Sequence, residues 1–237
     1  MPTLLLTRPE DAATRFAAMM RARLGEINVI TAPLFGIEIV AAPPVVLPDE
    51  GYVLTSENAV AAIVRHGLPL RRAYAVGDRT AAAARAAGLT VVSAQGDATA
   101  LIDTVLAQSE VGPLLHLHGE HTRGDVAARL TAAGVPTRDG IAYLQPALTL
   151  PDAVHQIAQP VVAPVFSPRT GAILAQQWQG RAPLFLVAMS PAVAASLASL
   201  PHVSMMIADH PDARAMADAV QVLWQSAQML EAQAGGA

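Results

Sequence analysis

YAVGDRTAAAARAAGL, Tyr74 to Leu89, reads as the end of a β-strand, a single glycine, a threonine and an alanine-rich helix. A helix that starts at the carboxyl end of a strand aims unpaired backbone N–H groups and the positive end of its dipole at whatever lies above the sheet. Such a turn is an anion site by geometry. It lacks the G-x-G-x-x-G of a dinucleotide fold and the G-x-x-x-x-G-K-[ST] of a P-loop, since only Gly77 precedes Asp78, Arg79 and Thr80. The anion expected here is not a nucleotide phosphate.

The same plan recurs along the chain. LLLTRPEDAATRFAAMM, YVLTSENAVAAIV, LLHLHGEHTRGDVAARLTAAG, VFSPRTGAILAQQW and FLVAMSPAVAASLASL are each an apolar run, a small polar turn and a helix-forming segment. Strand then helix, repeated, predicts an α/β protein with parallel sheets covered on both faces. The chain also resembles itself. TSENAVAAI from Thr55 matches FSPRTGAIL from Phe166, AVGDRTAAAA from Ala75 matches AMSPAVAASL from Ala188, and DATALIDTV from Asp97 matches DARAMADAV from Asp212, at offsets of 111, 113 and 115 residues. Ordered, nearly constant offsets predict two similar halves.

Two extended segments ending in proline, FGIEIVAAPP (Phe35 to Pro44) and GIAYLQPAL (Gly140 to Leu148), bracket the first copy. They predict paired linker strands at about 37–41 and 141–146. Residues 42–140 then form an inserted lobe, and residues 1–36 with 147–237 a discontinuous one, with a cleft between them.

Composition narrows the function. The 237 residues are 53% hydrophobic and 14% charged, too apolar for a disordered chain. There is no cysteine, which excludes disulfides, thiolate nucleophiles and cysteine-ligated metals. All 15 basic residues are arginine, which excludes a Walker A lysine and a lysine Schiff base. A formal charge of -4 with no basic run argues against nucleic-acid binding. Arg8 comes too soon for a signal peptide, and Pro191 and Pro201 break the longest apolar region, so a cytoplasmic, membrane-free protein is expected.

Ligands of open α/β sheets bind outside the carboxyl ends of the strands. There the sequence places Thr7 and Arg8; Thr55, Ser56 and Asn58; Gly77, Arg79 and Thr80; Gly119, Glu120 and Arg123; Ser167 and Arg169; and Ser190. Hydroxyls, glycines and arginines suit several carboxylates held at once, rather than covalent catalysis. Glu57 and Asp78 put negative charge in the same turns, either capping locally or opposing binding.

These motifs, in order, resemble the uroporphyrinogen-III synthase family from about Leu4 to Trp224: TRP at Thr7 to Pro9, TSENAV at Thr55 to Val60, VGDRTA at Val76 to Ala81, QGDA at Gln95 to Ala98, LHLHGE ending at Glu120, Tyr143, FSPRT at Phe166 to Thr170 and SPAVA at Ser190 to Ala194. The resemblance implies two flavodoxin-like lobes joined by a two-stranded antiparallel linker, in a monomer without cofactor. It implies cyclisation of hydroxymethylbilane, a linear tetrapyrrole with eight carboxylates, with inversion of ring D through a spiro intermediate and loss of water. Arg8, Thr55, Ser56, Asn58, Gly77, Arg79, Thr80, Gly119, Arg123, Ser167, Arg169 and Ser190 would then bind substrate. Tyr143 falls on the family's assisting acid, followed here by Leu144 and Gln145 where the family often has a polar residue and threonine or serine. The protein partner it implies is a transient contact with hydroxymethylbilane synthase, which makes the substrate.

HLHGEH, His116 to His121, puts two histidines on one face of a strand and a third past the turn. Zinc would need a further group from elsewhere and the resemblance supplies no metal, so sheet histidines without a metal are expected. The rival readings are a noncatalytic bilobed module that binds a small polyanion, and a degenerate family member kept for an interaction surface.

Overall fold

The computed structural model describes residues 1–121 and 124–235. The chain forms two compact units, Met1–Gly36 with Ala147–Ala237, and Ile37–Pro146. The first opens with β1 (Thr3–Leu6), α1 (Glu10–Leu24) and β2 (Asn28–Thr31). The second comprises β3 (Glu38–Ile39), β4 (Gly51–Leu54), α2 (Glu57–His66), β5 (Arg72–Ala75), α3 (Asp78–Ala86), β6 (Thr90–Ser93), α4 (Ala98–Leu106), β7 (Leu114–Gly119), α5 (Val126–Ala132) and β8 (Thr137–Leu144). The chain then returns to the first with α6 (Asp152–His155), β9 (Val161–Val165), α7 (Pro168–Gln177), β10 (Leu184–Ala188), α8 (Pro191–Ser196), β11 (Ser204–Ile207) and α9 (Ala213–Gly235).

Helix starts follow local chemistry. Ser56, Ser167 and Ser190 each accept a backbone N–H of the helix they precede, and Asp97 accepts two, from Thr99 and Ala100. Proline at the first position of α7 and α8 loses no hydrogen bond, because that N–H has no partner inside a helix. Gly67 ends α2 at φ 59°, left-handed backbone that a side chain would disfavour.

The first unit holds a parallel sheet in the order β11-β10-β9-β1-β2. Counted by chain order within the unit this is the flavodoxin order, 2-1-3-4-5. Successive strand residues face opposite sides, so Leu4 and Leu6 join Phe16, Met20, Val220 and Trp224 under α1 and α9. Leu5 joins Leu174, Val193 and Leu197 under α7 and α8.

The second unit's sheet runs β3-β8-β7-β4-β5-β6, parallel except for the β3–β8 pair. Its parallel strands count 3-2-1-4-5 by position in the sheet, so this unit departs from the flavodoxin order expected of both. The reason is a permutation. The three self-similar segments fall on α2 and α7, β5–α3 and β10–α8, and α4 and α9. With β4, β5 and β6 laid on β9, β10 and β11, the neighbours β7 and β8 fall on β1 and β2. Each sheet has one spatial plan, but the chain enters it at a different strand. Tyr52, Leu54, Val60 and Ile63 fill one face beneath α2 and α3, while Val53, Leu101, Val105 and Leu130 fill the other beneath α4 and α5.

β8 does two jobs within the second unit. Thr137 to Tyr143 pairs in parallel with β7, with an irregularity after His118, and Tyr143 and Leu144 pair antiparallel with Ile39 and Glu38. No helix among the described residues is long and apolar enough to cross a membrane.

Candidate functional site

In each sheet the connections reverse direction at one pair of neighbouring strands, β1 and β9 in the first unit and β4 and β7 in the second. The crevice outside their carboxyl ends is where open α/β sheets bind ligands.

In the first unit Thr7 and Arg8 follow β1, Ser167 and Arg169 follow β9, and Ser190 follows the neighbouring β10. The Arg8 guanidinium lies 3.9 Å from the centre of the Phe166 ring, and that of Arg169 lies 4.1 Å from the centre of Phe35. Stacking on a ring fixes a planar cation and leaves its edge donors directed sideways. Ser167 Oγ is 2.8 Å from Thr170 Oγ1 and accepts the Thr170 N–H, so the FSPRT turn is internally locked. Thr7 is 1% exposed, and its Oγ1 finds no hydrogen-bond partner among the described residues.

In the second unit Thr55, Ser56 and Asn58 follow β4, and Gly77, Arg79 and Thr80 follow β5. Glu57 and Arg79 form an ion pair between the two turns, so the arginine's charge is shared with a carboxylate. Asp78 accepts from Ser93 Oγ at 2.8 Å. The two acidic residues are thereby tied down locally. Gly77 has extended backbone, and a Cβ built there meets nothing within 4 Å. The glycine is required neither by backbone strain nor by a neighbour, so the space above it is open to a ligand. Thr80 is buried beneath the first turn of α3.

Gly119 and Tyr143 meet where β7 ends. A Cβ on Gly119 would lie 2.5 Å from Cε2 of the Tyr143 ring, closer than carbon atoms approach. The ring is 7% exposed and packs in the cluster containing Leu54, Val60 and Leu117. Glu120 closes the corner: its N–H donates to the Tyr143 carbonyl and its side chain accepts the Gln145 N–H. Arg123 lies outside the described residues.

On the opposite face of β7, His116 and His118 stack with ring centres 4.6 Å apart beside Asp139 of β8. His116 Nδ1 is 3.0 Å from the Asp139 carboxylate and Nε2 is 3.4 Å from Thr55 Oγ1. Burial, reinforced by His118 and opposed by Asp139, lowers the His116 pKa from 6.5 to about 4. The ring is therefore neutral near pH 7. Sequence reasoning found the histidines but missed Asp139, which the β7–β8 register sets opposite His116. Nothing local to TRDGI marks that aspartate.

No curated protein sequence matches the chain. Among solved structures it is similar to uroporphyrinogen-III synthetase from Helicobacter pylori, at a TM-score of 0.65 and 13% identity, covering 94% of this chain and 100% of that one. It is also similar to a mutant uroporphyrinogen III synthase from Thermus thermophilus, at 0.49 and 12%, covering 97% and 100%. At such identities the Helicobacter likeness speaks to the fold alone. The family description uroporphyrinogen-III synthase HemD matches residues 20–218, which takes in most of both units. The chain belongs to the uroporphyrinogen-III synthase family, enzymes of tetrapyrrole biosynthesis.

Proposed function

We propose that this chain converts hydroxymethylbilane to uroporphyrinogen III. The observation that carries the reading is the family match over residues 20–218; anion-binding turns alone would suit other polyanions. In the proposed reaction the terminal hydroxyl leaves as water. The resulting azafulvene is attacked by the substituted carbon of ring D, and the spiro intermediate fragments and recloses with that ring inverted.

The turns after β4, β5, β9 and β10 hold acetate and propionate arms through backbone N–H groups and the hydroxyls of Thr55, Ser56, Ser167 and Ser190. Asn58, Thr80 and the arginines Arg8, Arg79, Arg123 and Arg169 complete the set, and the bare surface of Gly77 allows a carboxylate close to the start of α3. Each such contact is worth about 0.3–1 kcal/mol, or about 2 when partly buried. Losing one therefore weakens binding by a factor of about 2 to 30.

Tyr143 donates a proton to the departing hydroxyl, and Gly119 leaves room for its ring. A phenol is a weak acid, so it assists the departure while the bound geometry selects the path. Two α/β lobes linked through β3 and β8, only the first of them in flavodoxin order, working as a monomer, belong to the same proposal, as does substrate delivery by transient contact with hydroxymethylbilane synthase.

The test supplies hydroxymethylbilane enzymatically, oxidises the products and separates the isomers. Mostly type III product supports the synthase. Only the type I isomer of spontaneous closure, from folded protein, supports a noncatalytic polyanion module.

A further inference from the structure

His116, His118 and Asp139 are not used by the proposed reaction. Alternation along β7 sets both histidines on the face away from Tyr143, and the parallel register puts Asp139 directly opposite His116. One carboxylate oxygen, Oδ1 of Asp139, lies 3.0 Å from His116 Nδ1 and 3.2 Å from His118 Nε2. The three donor atoms all lie within 4.8 Å of one another.

The remaining ring nitrogens are already committed. His118 Nδ1 is 2.6 Å from the carbonyl oxygen of Gly119. A carbonyl only accepts, so Nδ1 carries the hydrogen. In the neutral ring Nε2 is then a bare lone pair facing a carboxylate oxygen. That nitrogen is buried and makes no hydrogen bond among the described residues, although Asp139 is within ion-pair distance. A cation held jointly by the three atoms would engage that lone pair and the carboxylate together.

We propose that His116 Nδ1, His118 Nε2 and Asp139 Oδ1 are the protein ligands of a site for a borderline divalent cation of the zinc class, with the fourth position open to water. Zinc binds imidazole nitrogen and carboxylate oxygen at about 2.0–2.2 Å, which sets tetrahedral donors about 3.4 Å apart. The Asp139 oxygen stands 3.0 and 3.2 Å from the two nitrogens, close to that spacing, and the nitrogens lie within 4.8 Å of each other. Two imidazoles and one carboxylate suit zinc better than magnesium or calcium. The Gly119 carbonyl orients His118, and Thr55 Oγ1 faces the second nitrogen of His116, the outer contacts that metal-binding histidines require. The Asp139 side chain is 57% exposed and gives the ion a route in. The ion fastens β8 to β7. This departs from the metal-free expectation drawn from the sequence, and it does not depend on the synthase reading.

The test is calorimetric titration of EDTA-stripped full-length protein with zinc sulfate in a non-chelating buffer, with thermal unfolding alongside. The expected result is saturable binding of a single ion per chain and a higher melting temperature with zinc. Asp139→Asn, which keeps shape at a half-exposed position, and His118→Ala should each weaken binding by at least about tenfold and abolish the thermal shift. His210→Ala, at an exposed position, should change neither. The absence of saturable binding, or equal binding by wild type, Asp139→Asn and His118→Ala, would overturn the proposal.

Discussion

Replacing Gly119 with alanine tests whether the end of β7 holds the Tyr143 ring in place. The added Cβ would lie 2.5, 2.8 and 3.1 Å from Cε2, Cζ and Cδ2 of that ring. Carbon atoms rest at about 3.5–4.0 Å, so the ring or the strand must retreat by about 1 Å. The ring is 7% exposed and packed among Leu54, Val60 and Leu117, which leaves little room. Overpacking of this kind costs about 1–3 kcal/mol. At about 2–4 °C per kcal/mol for a chain of this size, the melting temperature should fall by about 2–12 °C. If Tyr143 also donates the proton, a shift of about 1 Å can slow turnover by up to about 100-fold. The decisive assay is a double-mutant cycle by chemical denaturation. Tyr143→Ala alone leaves a cavity and costs about 3–5 kcal/mol, and Gly119→Ala added to it should cost almost nothing more. An equal cost of Gly119→Ala in both backgrounds, or no cost in wild type, would refute the contact.

Gly77→Ala should leave stability within about 0.5 kcal/mol, because its Cβ enters open space, yet raise KM by a factor of about 2 to 30; unchanged kinetics would remove this turn from the substrate site. Tyr143→Phe and Thr80→Ala should each slow turnover while substrate still binds, read from kcat and KM in the coupled assay; complete inactivity of folded protein would point to a dedicated acid in place of orientation. Glu50 is 1% exposed and accepts from Arg138 at 2.6 and 2.9 Å, which holds its pKa below the ordinary 4.5 against the opposing effect of burial. A depressed carboxyl pKa stabilises the fold above pH 4.5 and ceases to do so as pH falls through the lower folded value. Arg138 is half exposed, so Glu50→Gln should cost about 2 kcal/mol at pH 7, less than a fully buried pair, and should flatten the stability profile below pH 4.5. An unchanged acid profile by denaturation would argue against the linkage.

The α/β class and the turns that begin helices were legible because strand, cap and helix signals are local. Ser56, Ser167 and Ser190 announce helices without any long-range information. The repeat was legible too, but not the permutation behind it, because strand order depends on which edges pair and β7 against β4 leaves no mark at the level of single residues. Asp139 was missed for the same reason: its nearness to His116 is a matter of register between strands more than 20 residues apart. Glu57 and Asp78 read either as local caps or as opposed to anion binding, and the partners that engage them, Arg79 and Ser93, lie outside their own turns' local signal. Gly119 was read as an anion-turn glycine, and its close approach to the ring of Tyr143 was not legible, because it depends on the pairing of β7 with β8.

The most direct measurement is the isomer composition formed from enzymatically supplied hydroxymethylbilane when this protein is limiting. A catalyst must yield type III uroporphyrinogen in many-fold molar excess over protein, with the type I share falling as protein is added. Type I at the protein-free level, or type III that never exceeds the amount of protein present, would contradict the account.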